Sequence, residues 1–377
     1  MNQSLRILRI ANVPDNRTGG MNRTMHCTSD ELRRLGHEVE HLFAGDLGVK
    51  GPLPLRRFVV PIQALRRARA ALATGRRFDV LEIHEAAGAA CVWSRRSLPP
   101  VVLFSYGLEE RHQAALLGYR RLKGLPIGLK RRYSPLTVVW QSIYATRRAA
   151  HVICSNSEDV DHLHGRGVAR EKLTRHHSGV EQVFLDAGQE ADGPGARSGM
   201  LYLGGWFERK GILDLIPAAI EVLRRFPHET LTVAGCIIPA EEVHSSFPPE
   251  LRPRIHVRPH VTSDADLIDL YRSHSVFVLP SFFEGQPLVM IEAAALGLAI
   301  VTTDVCGMRD FIRADENGLT VPVADPAALA AAIGGLLTDP VRARRLGDAA
   351  RTVARTHTWK AAAVKIAHAY RQATGSR

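Results

Sequence analysis

Short apolar runs alternate along this chain with longer stretches whose apolar residues recur every three to four positions. In the first half the runs fall at residues 5–11, 39–43, 80–83, 101–104, 152–154 and 172–176, with helical periodicity between them, as at 21–35 and 61–74. The second half repeats the rhythm, with runs at 200–203, 231–234, 255–257, 276–279 and 299–302 and helical stretches at 212–226, 264–273, 288–295, 327–337 and 341–357. Continuous apolar runs fit strands covered on both faces, so the alternation predicts β-α-β units and parallel sheets.

A length of 377 residues suits two domains better than one core. Residues 186–199 (DAGQEADGPGARSG) are rich in Gly, Pro and polar residues and have no apolar period, which marks a linker. The expected fold class is therefore α/β, with two doubly wound Rossmann-like domains, 1–185 and 200–357, facing a central cleft. The amphipathic stretch 359–374 predicts a closing helix, so that 358–377 packs back on the N-terminal domain. Ligands of such sheets bind beyond the carboxyl ends of the strands, which singles out the loops after Ala11, Ile83, Leu203, Ala234 and Leu279.

Composition narrows the setting. No stretch approaches the ~20 consecutive apolar residues of a bilayer span, and the opening MNQSLRILRIAN is too short and too interrupted by Arg6 and Arg9 for a secretory core. Five scattered cysteines with no CxxC pair argue against a disulfide framework or a zinc site and fit a reducing cytosol. The net charge of +11 is uneven: residues 1–180 hold 29 Lys and Arg against 15 Asp and Glu, whereas residues 181–377 hold 20 against 23. A solvated surface, attraction to an anionic membrane or lipid-phosphate acceptor, and nucleic-acid binding all remain open on charge alone, with nucleic acid the least supported. Residues 108–144, basic and apolar together, are a candidate acceptor or membrane contact, or else ordinary surface helices.

Two motif matches carry no chemistry in their context. His37-Glu38-Val39-Glu40-His41 spells HExxH, yet it follows a helix-ending Gly36 and leads into a strand, where histidines four apart do not converge on one zinc. Asp264-Ala265-Asp266 resembles a metal-binding DxD, but after Ser263 the acids suit a helix start. Neither GxxxxGK[ST] nor GxGxxG occurs. Gly19-Gly20, before a helix, can admit an anionic group to backbone N–H donors or simply form a turn.

The informative stretch is residues 280–297, PSFFEGQPLVMIEAAALG, which leaves a buried strand and enters a helix near Pro287. Glu284 lies in the loop and Glu292, seven residues intervening, lies on the helix. Backbone donors at a helix start suit phosphate or sugar oxygens, and a carboxylate one turn further in suits ribose hydroxyls. The same residues also read as a cap and a surface charge.

These residues resemble the donor domain of the retaining family 4 glycosyltransferases, which have the GT-B fold. The resemblance extends to VTTDVCGMRDFI and NGLTVPVADPAALAAAI downstream, and to GG at 19–20, LRRLGHEV at 32–39, FDVLEIH at 78–84, CSNSEDV at 154–160, HSGVEQVF at 177–184 and LYLGGWFERKG at 201–211. It implies that Glu292 accepts hydrogen bonds from a nucleotide ribose, and that Glu284 with Gly285, Gln286, Pro287 and Leu288 contacts sugar and diphosphate. Lys210 would neutralise the leaving diphosphate, His84 would face the transferred sugar, and Gly19, Gly20, Gly204 and Gly205 would line the substrate. A fixed cation beside a leaving phosphate lowers the barrier where charge develops, so neither metal nor other cofactor is expected. The family usually carries Arg where this chain has Gly205, which makes Arg209 the candidate second cation, and often a histidine where this chain has Tyr106 in Ser105-Tyr106-Gly107. The expectation is a cytoplasmic enzyme, peripheral on the inner membrane face, taking a nucleotide-sugar donor and an acceptor glycan, lipid-linked sugar or small molecule. Its rivals are nucleotide-sugar epimerisation and non-catalytic sugar-nucleotide binding.

Overall fold

Two all-parallel six-stranded sheets carry the fold. The computed structural model describes residues 4–49, 53–128, 137–189, 197–261 and 263–375. The chain divides into two units: Met1–Arg120 with Leu125–Gly179 and Trp359–Arg377, and Arg121–Gly124 with Val180–Thr358. Residues 190–196 of the expected linker lie outside the described residues, as do residues 129–136 of the segment 108–144, including the basic cluster Lys130-Arg131-Arg132.

In the first unit the strands are β1 (Arg6–Ile10), β2 (Glu38–Leu42), β3 (Val80–His84), β4 (Val101–Ser105), β5 (His151–Cys154) and β6 (Leu173–Arg175), in the order β2-β1-β3-β4-β5-β6. Alternate residues go to opposite faces. Leu8, Leu81, Leu103 and Val152 pack against the helices Leu53–Ala73, Ala89–Trp93, Val138–Arg148 and Ser157–Gly165. Ile7, Val80, Val102 and Ile153 pack on the other face against Leu32 of the helix Gly20–Arg34 and against the C-terminal helix Trp359–Gly375. That last helix presents Ala363, Ile366, Ala367, Tyr370 and Ala373 to the sheet, three- and four-residue steps that make one buried stripe.

The second unit contains β7 (Met200–Leu203), β8 (Leu231–Ala234), β9 (Ile255–Arg258), β10 (Val276–Leu279), β11 (Ala299–Thr303) and β12 (Leu319–Val321), in the order β12-β11-β10-β7-β8-β9. Val276 and Val278 enter one core, Phe277 and Leu279 the other, which is why β10 is apolar at every position. Each sheet reverses its strand order once, between β1 and β3 in the first unit and between β7 and β10 in the second. A crevice opens at the carboxyl ends of such a pair, because the connections on its two sides run to opposite faces.

One helix and one short strand differ from the sequence expectation in ways that packing explains. The helix expected at 61–74 runs from Leu53 to Ala73, with Pro61 inside it rather than at its start. Pro61 lies on the buried side with Val60, Ala64 and Ala68, and burial of that face holds together a helix that loses one backbone hydrogen bond. Strand β12 has no counterpart among the expected strands. Three residues are too few to show a period, and they are held by pairing with β11, Val301 beside Leu319.

Candidate functional site

The loops that leave β7 and β10 meet at the reversal point of the second sheet. The first, residues 204–211, ends in Gly211, whose φ of +76° lies in the left-handed region. A Cβ there would sit 1.9 Å from the Pro280 carbonyl oxygen, so only glycine allows the two loops to touch. Phe282 N donates to the Arg209 carbonyl at 3.1 Å, fastening them further. On the other flank a Cβ on Gly307 would lie 2.0 Å from the Gly285 carbonyl oxygen, so the segment after β11 closes against residues 284–286.

This docking brings side chains more than seventy positions apart into contact. Arg209 Nη1 stands 2.8 Å from Glu284 Oε2, and Lys210 Nζ stands 2.8 Å from Glu284 Oε1. Arg209 Nη1 also donates to the Phe283 carbonyl at 2.8 Å. The Lys210 stem crosses Gly204, at 3.5 Å from where a Cβ would be. Burial alone pushes the Glu284 carboxyl up, but Lys210 and then Arg209 outweigh it and bring it down to about 2. The result is two fixed cations grouped about one ionised carboxylate at the mouth of a parallel sheet.

Gly205 has a local explanation. A Cβ at that position would lie 2.3 Å from the Phe207 ring, which occupies the space a side chain would need. The Arg209 guanidinium lies 5.4 Å from the centroid of the same ring. A second positive charge thus reaches the loop from position 209, beside an aromatic face, and not from position 205.

The helix Leu288–Ala295 starts after Pro287 and carries Glu292 on its buried side. Glu292 Oε2 accepts from the Tyr271 hydroxyl at 2.9 Å, and that hydroxyl also approaches the Val289 carbonyl at 3.1 Å. Glu284, Gly285, Pro287 and Leu288 are buried and Gln286 is half-buried. Tyr271 escaped the sequence reading because it lies on the separate helix Asp264–Ser273, twenty-one positions away, and only the packing of the two helices reveals it.

In the first unit, Gly19 and Gly20 and the end of β3 flank the other reversal point. Gly19 has φ +81° and precedes the helix Gly20–Arg34, and a Cβ on either glycine would meet open space. His84 is half-buried, its ring nearly parallel to that of Tyr106 at 6.1 Å. Burial holds its imidazole down at about 4, so it is neutral at pH 7. Next to it, Glu85 is fully buried and accepts from Glu109 N at 2.9 Å and from the Ser142 hydroxyl at 3.0 Å. Glu85 pins the start of the helix after β4. An acid directly following an apolar strand was the available signal for it.

The rejected motifs have other uses. His37 Nδ1 accepts from Leu5 N at 3.1 Å, and His41 Nε2 pairs with the Ser29 hydroxyl at 2.8 Å. Ser263 Oγ accepts from Asp266 N at 3.0 Å and caps its helix.

Comparison with known proteins matches this geometry to one family. The family model Glycosyltransferase Family 4 matches residues 18–182, and the model Glycosyl transferases group 1 matches residues 197–339. Glycogen synthase of Mycobacterium tuberculosis (strain CDC 1551 / Oshkosh) is 30% identical over 228 residues, which are 58% of this chain and 53% of that protein. The chain thus spans about half the length of the curated relatives it matches, or less. Among solved structures, sucrose-phosphate synthase from Thermosynechococcus elongatus aligns with a TM-score of 0.77 at 20% identity, covering 99% of this chain and 100% of that one. Anabaena HepE in complex with UDP-glucose aligns with a TM-score of 0.65 at 15% identity, covering 99% and 100%. At such identities the structures speak to the fold, and the family rests on the two models that match in turn along the sequence: the chain belongs to the family 4, or group 1, glycosyltransferases, of the GT-B fold.

Proposed function

We propose that this protein transfers a sugar from a nucleotide-sugar donor to an acceptor hydroxyl, with retention of configuration and with no metal or other cofactor. The observation that carries the reading is the cluster of Arg209 and Lys210 about Glu284 at the reversal point of the second sheet. Cleaving a sugar–diphosphate bond places negative charge on the leaving oxygen, and two cations already fixed in a half-buried loop stabilise that charge without reorganising. The HepE structure was determined with UDP-glucose, which supports a donor of that kind for this chain.

Within this reading Lys210 and Arg209 hold the diphosphate, and Glu292, oriented by Tyr271, accepts from the ribose. Residues 285–288 place backbone groups at the start of a helix, where an anion is favoured. Glu284, ionised and held between two cations, orients sugar hydroxyls and is a poor nucleophile. That supports attack by the acceptor hydroxyl on the face the diphosphate leaves, its proton passing to a diphosphate oxygen. His84, neutral, supplies hydrogen bonding to the sugar. The excess of basic residues in the first half supports a cell-envelope or lipid-linked acceptor met at the cytoplasmic face of a membrane.

The test begins with thermal shifts against UDP, GDP and their sugars, since a bound ligand raises stability by an amount that grows with the logarithm of its affinity. With the donor known, Lys210→Ala and His84→Ala should each lower transfer by roughly 10²-fold or more at temperatures where circular dichroism shows both variants folded. Unchanged turnover in both would remove them from the mechanism. Product analysis without acceptor separates transfer from epimerisation, because only epimerisation then yields a new sugar nucleotide.

A further inference from the structure

Nine arginines of the first unit lie on two helices and in the turn that follows a third, which packs between them. Leu53–Ala73 carries five arginines and no acidic residue. Ala89–Trp93, followed at once by Arg95 and Arg96, has no acid either, and Val138–Arg148 ends in Arg147-Arg148, again with none. Ala89–Trp93 packs against both of the others. All three turn small or apolar residues such as Ala64, Ala68, Val92 and Ala145 toward the same side of the sheet.

Their outward sides are not simply polar. Trp93 is 75% exposed and Trp140 61%, and both flank Tyr144, with ring centroids 5.9 and 5.8 Å from it. The Arg148 guanidinium lies 4.5 Å from the Tyr144 ring centroid. On the neighbouring helix Leu55, Phe58 and Ile62, spaced three and four apart, are also exposed. A helix with one apolar side already buried, and further aromatic and aliphatic residues set among arginines on the outside, has the composition of a surface that lies in a lipid interface.

We propose that the outward side of these three helices docks on a bilayer of anionic phospholipid, with Trp93, Trp140 and Tyr144 at headgroup depth and the arginines against lipid phosphates. Charge selects this occupant over a second copy of the chain, because self-pairing of the patch would set arginines against arginines. Aliphatic Leu55 and Ile62 select it over nucleic acid, which offers them nothing to pack on. Among the described residues no helix is long and apolar enough to cross a membrane. The inference extends the membrane-face acceptor proposed above by naming the surface, and it stands independently of donor chemistry.

Co-sedimentation of the full chain with vesicles of phosphatidylcholine, with and without phosphatidylglycerol, tests it. Binding is expected to the anionic vesicles only, and to be lost as salt screens the arginines. Each arginine near an anionic surface is worth roughly a fivefold in partitioning, so Arg147→Glu with Arg148→Glu should weaken binding by about 25-fold or more. Trp93→Ser with Trp140→Ser should weaken it as well. Brominated lipid should quench tryptophan fluorescence in the unsubstituted protein, a readout that needs no variant. Thermal shifts with UDP and GDP should be the same in both double variants as in the parent, which separates failure of the surface from failure of the donor site. Equal vesicle binding by the variants, bound protein that bromine does not quench, or duplex DNA bound in preference to vesicles would each overturn the proposal.

Discussion

Glu284 lies within 2.8 Å of both Arg209 and Lys210, and its charge survives to far lower pH than that of an isolated glutamate. Its folded value is depressed from 4.5 to about 2, so its stabilising contribution is complete above 4.5 and disappears as pH falls through about 2. His84 is also depressed, from 6.5 to about 4, by burial. The fold is therefore favoured fully above 6.5 at this residue and loses that contribution as pH falls through about 4. An NMR titration of the imidazole should show it neutral from about pH 8 down to about pH 5, with its midpoint near 4. A midpoint at or above the ordinary value would contradict the burial argument. The position of His84 at a strand end was legible in the sequence. Its protonation state was not, because that depends on Tyr106 and other neighbours that approach only in the fold.

Among elements, the decisive one is a contact between two loops. Residues 204–211 and 280–287 each read as a motif, but nothing in either states that Gly211 abuts the Pro280 carbonyl. Gly211→Ala combines a left-handed backbone strained for alanine with a 1.9 Å clash against backbone, which cannot swing aside. It should cost about 3 kcal/mol or more in a denaturant titration. The thermal shift given by the donor nucleotide should fall with it, since Arg209 and Lys210 move with the loop. Parent-like stability and nucleotide response would mean the loops are not docked as described. Strands were the most legible elements, because burial on both faces writes an unbroken apolar run into the sequence, as in VFVL of β10. Pro61 inside its helix and the three-residue β12 were not, because tertiary packing and sheet pairing outweigh local signals there.

Across the whole molecule, the chain returns at its C-terminus to the unit in which it began. The C-terminal helix is tied there by more than apolar packing. Arg9, fully buried on β1, places Nε 2.7 Å from Glu82 Oε1 on β3 and donates through Nη1 to the Met25 carbonyl and the Ser29 hydroxyl. Tyr370 of the last helix donates its hydroxyl to the other oxygen of Glu82. Arg9→Ala would strand a buried carboxylate and should destabilise the first unit by about 3–5 kcal/mol, whereas Arg9→Met with Glu82→Leu should be far milder. Hydrogen exchange resolved by segment should place the loss in the first unit and the C-terminal helix, and uniform loss over both units would count against this assignment. Such a triad is invisible in one dimension, since residues 9, 82 and 370 share no motif.

Taken by itself, the sequence determined the number and type of sheets and the family, because alternating burial and motif spacing are properties of neighbouring residues. Tertiary structure alone decided which side chains meet: Arg209 and Lys210 with Glu284, Tyr271 with Glu292, and Trp93 and Trp140 with Tyr144. Those pairings depend on how separate segments pack, and Coulomb and hydrogen-bond energies fall off over a few ångströms in space, whatever the distance along the chain.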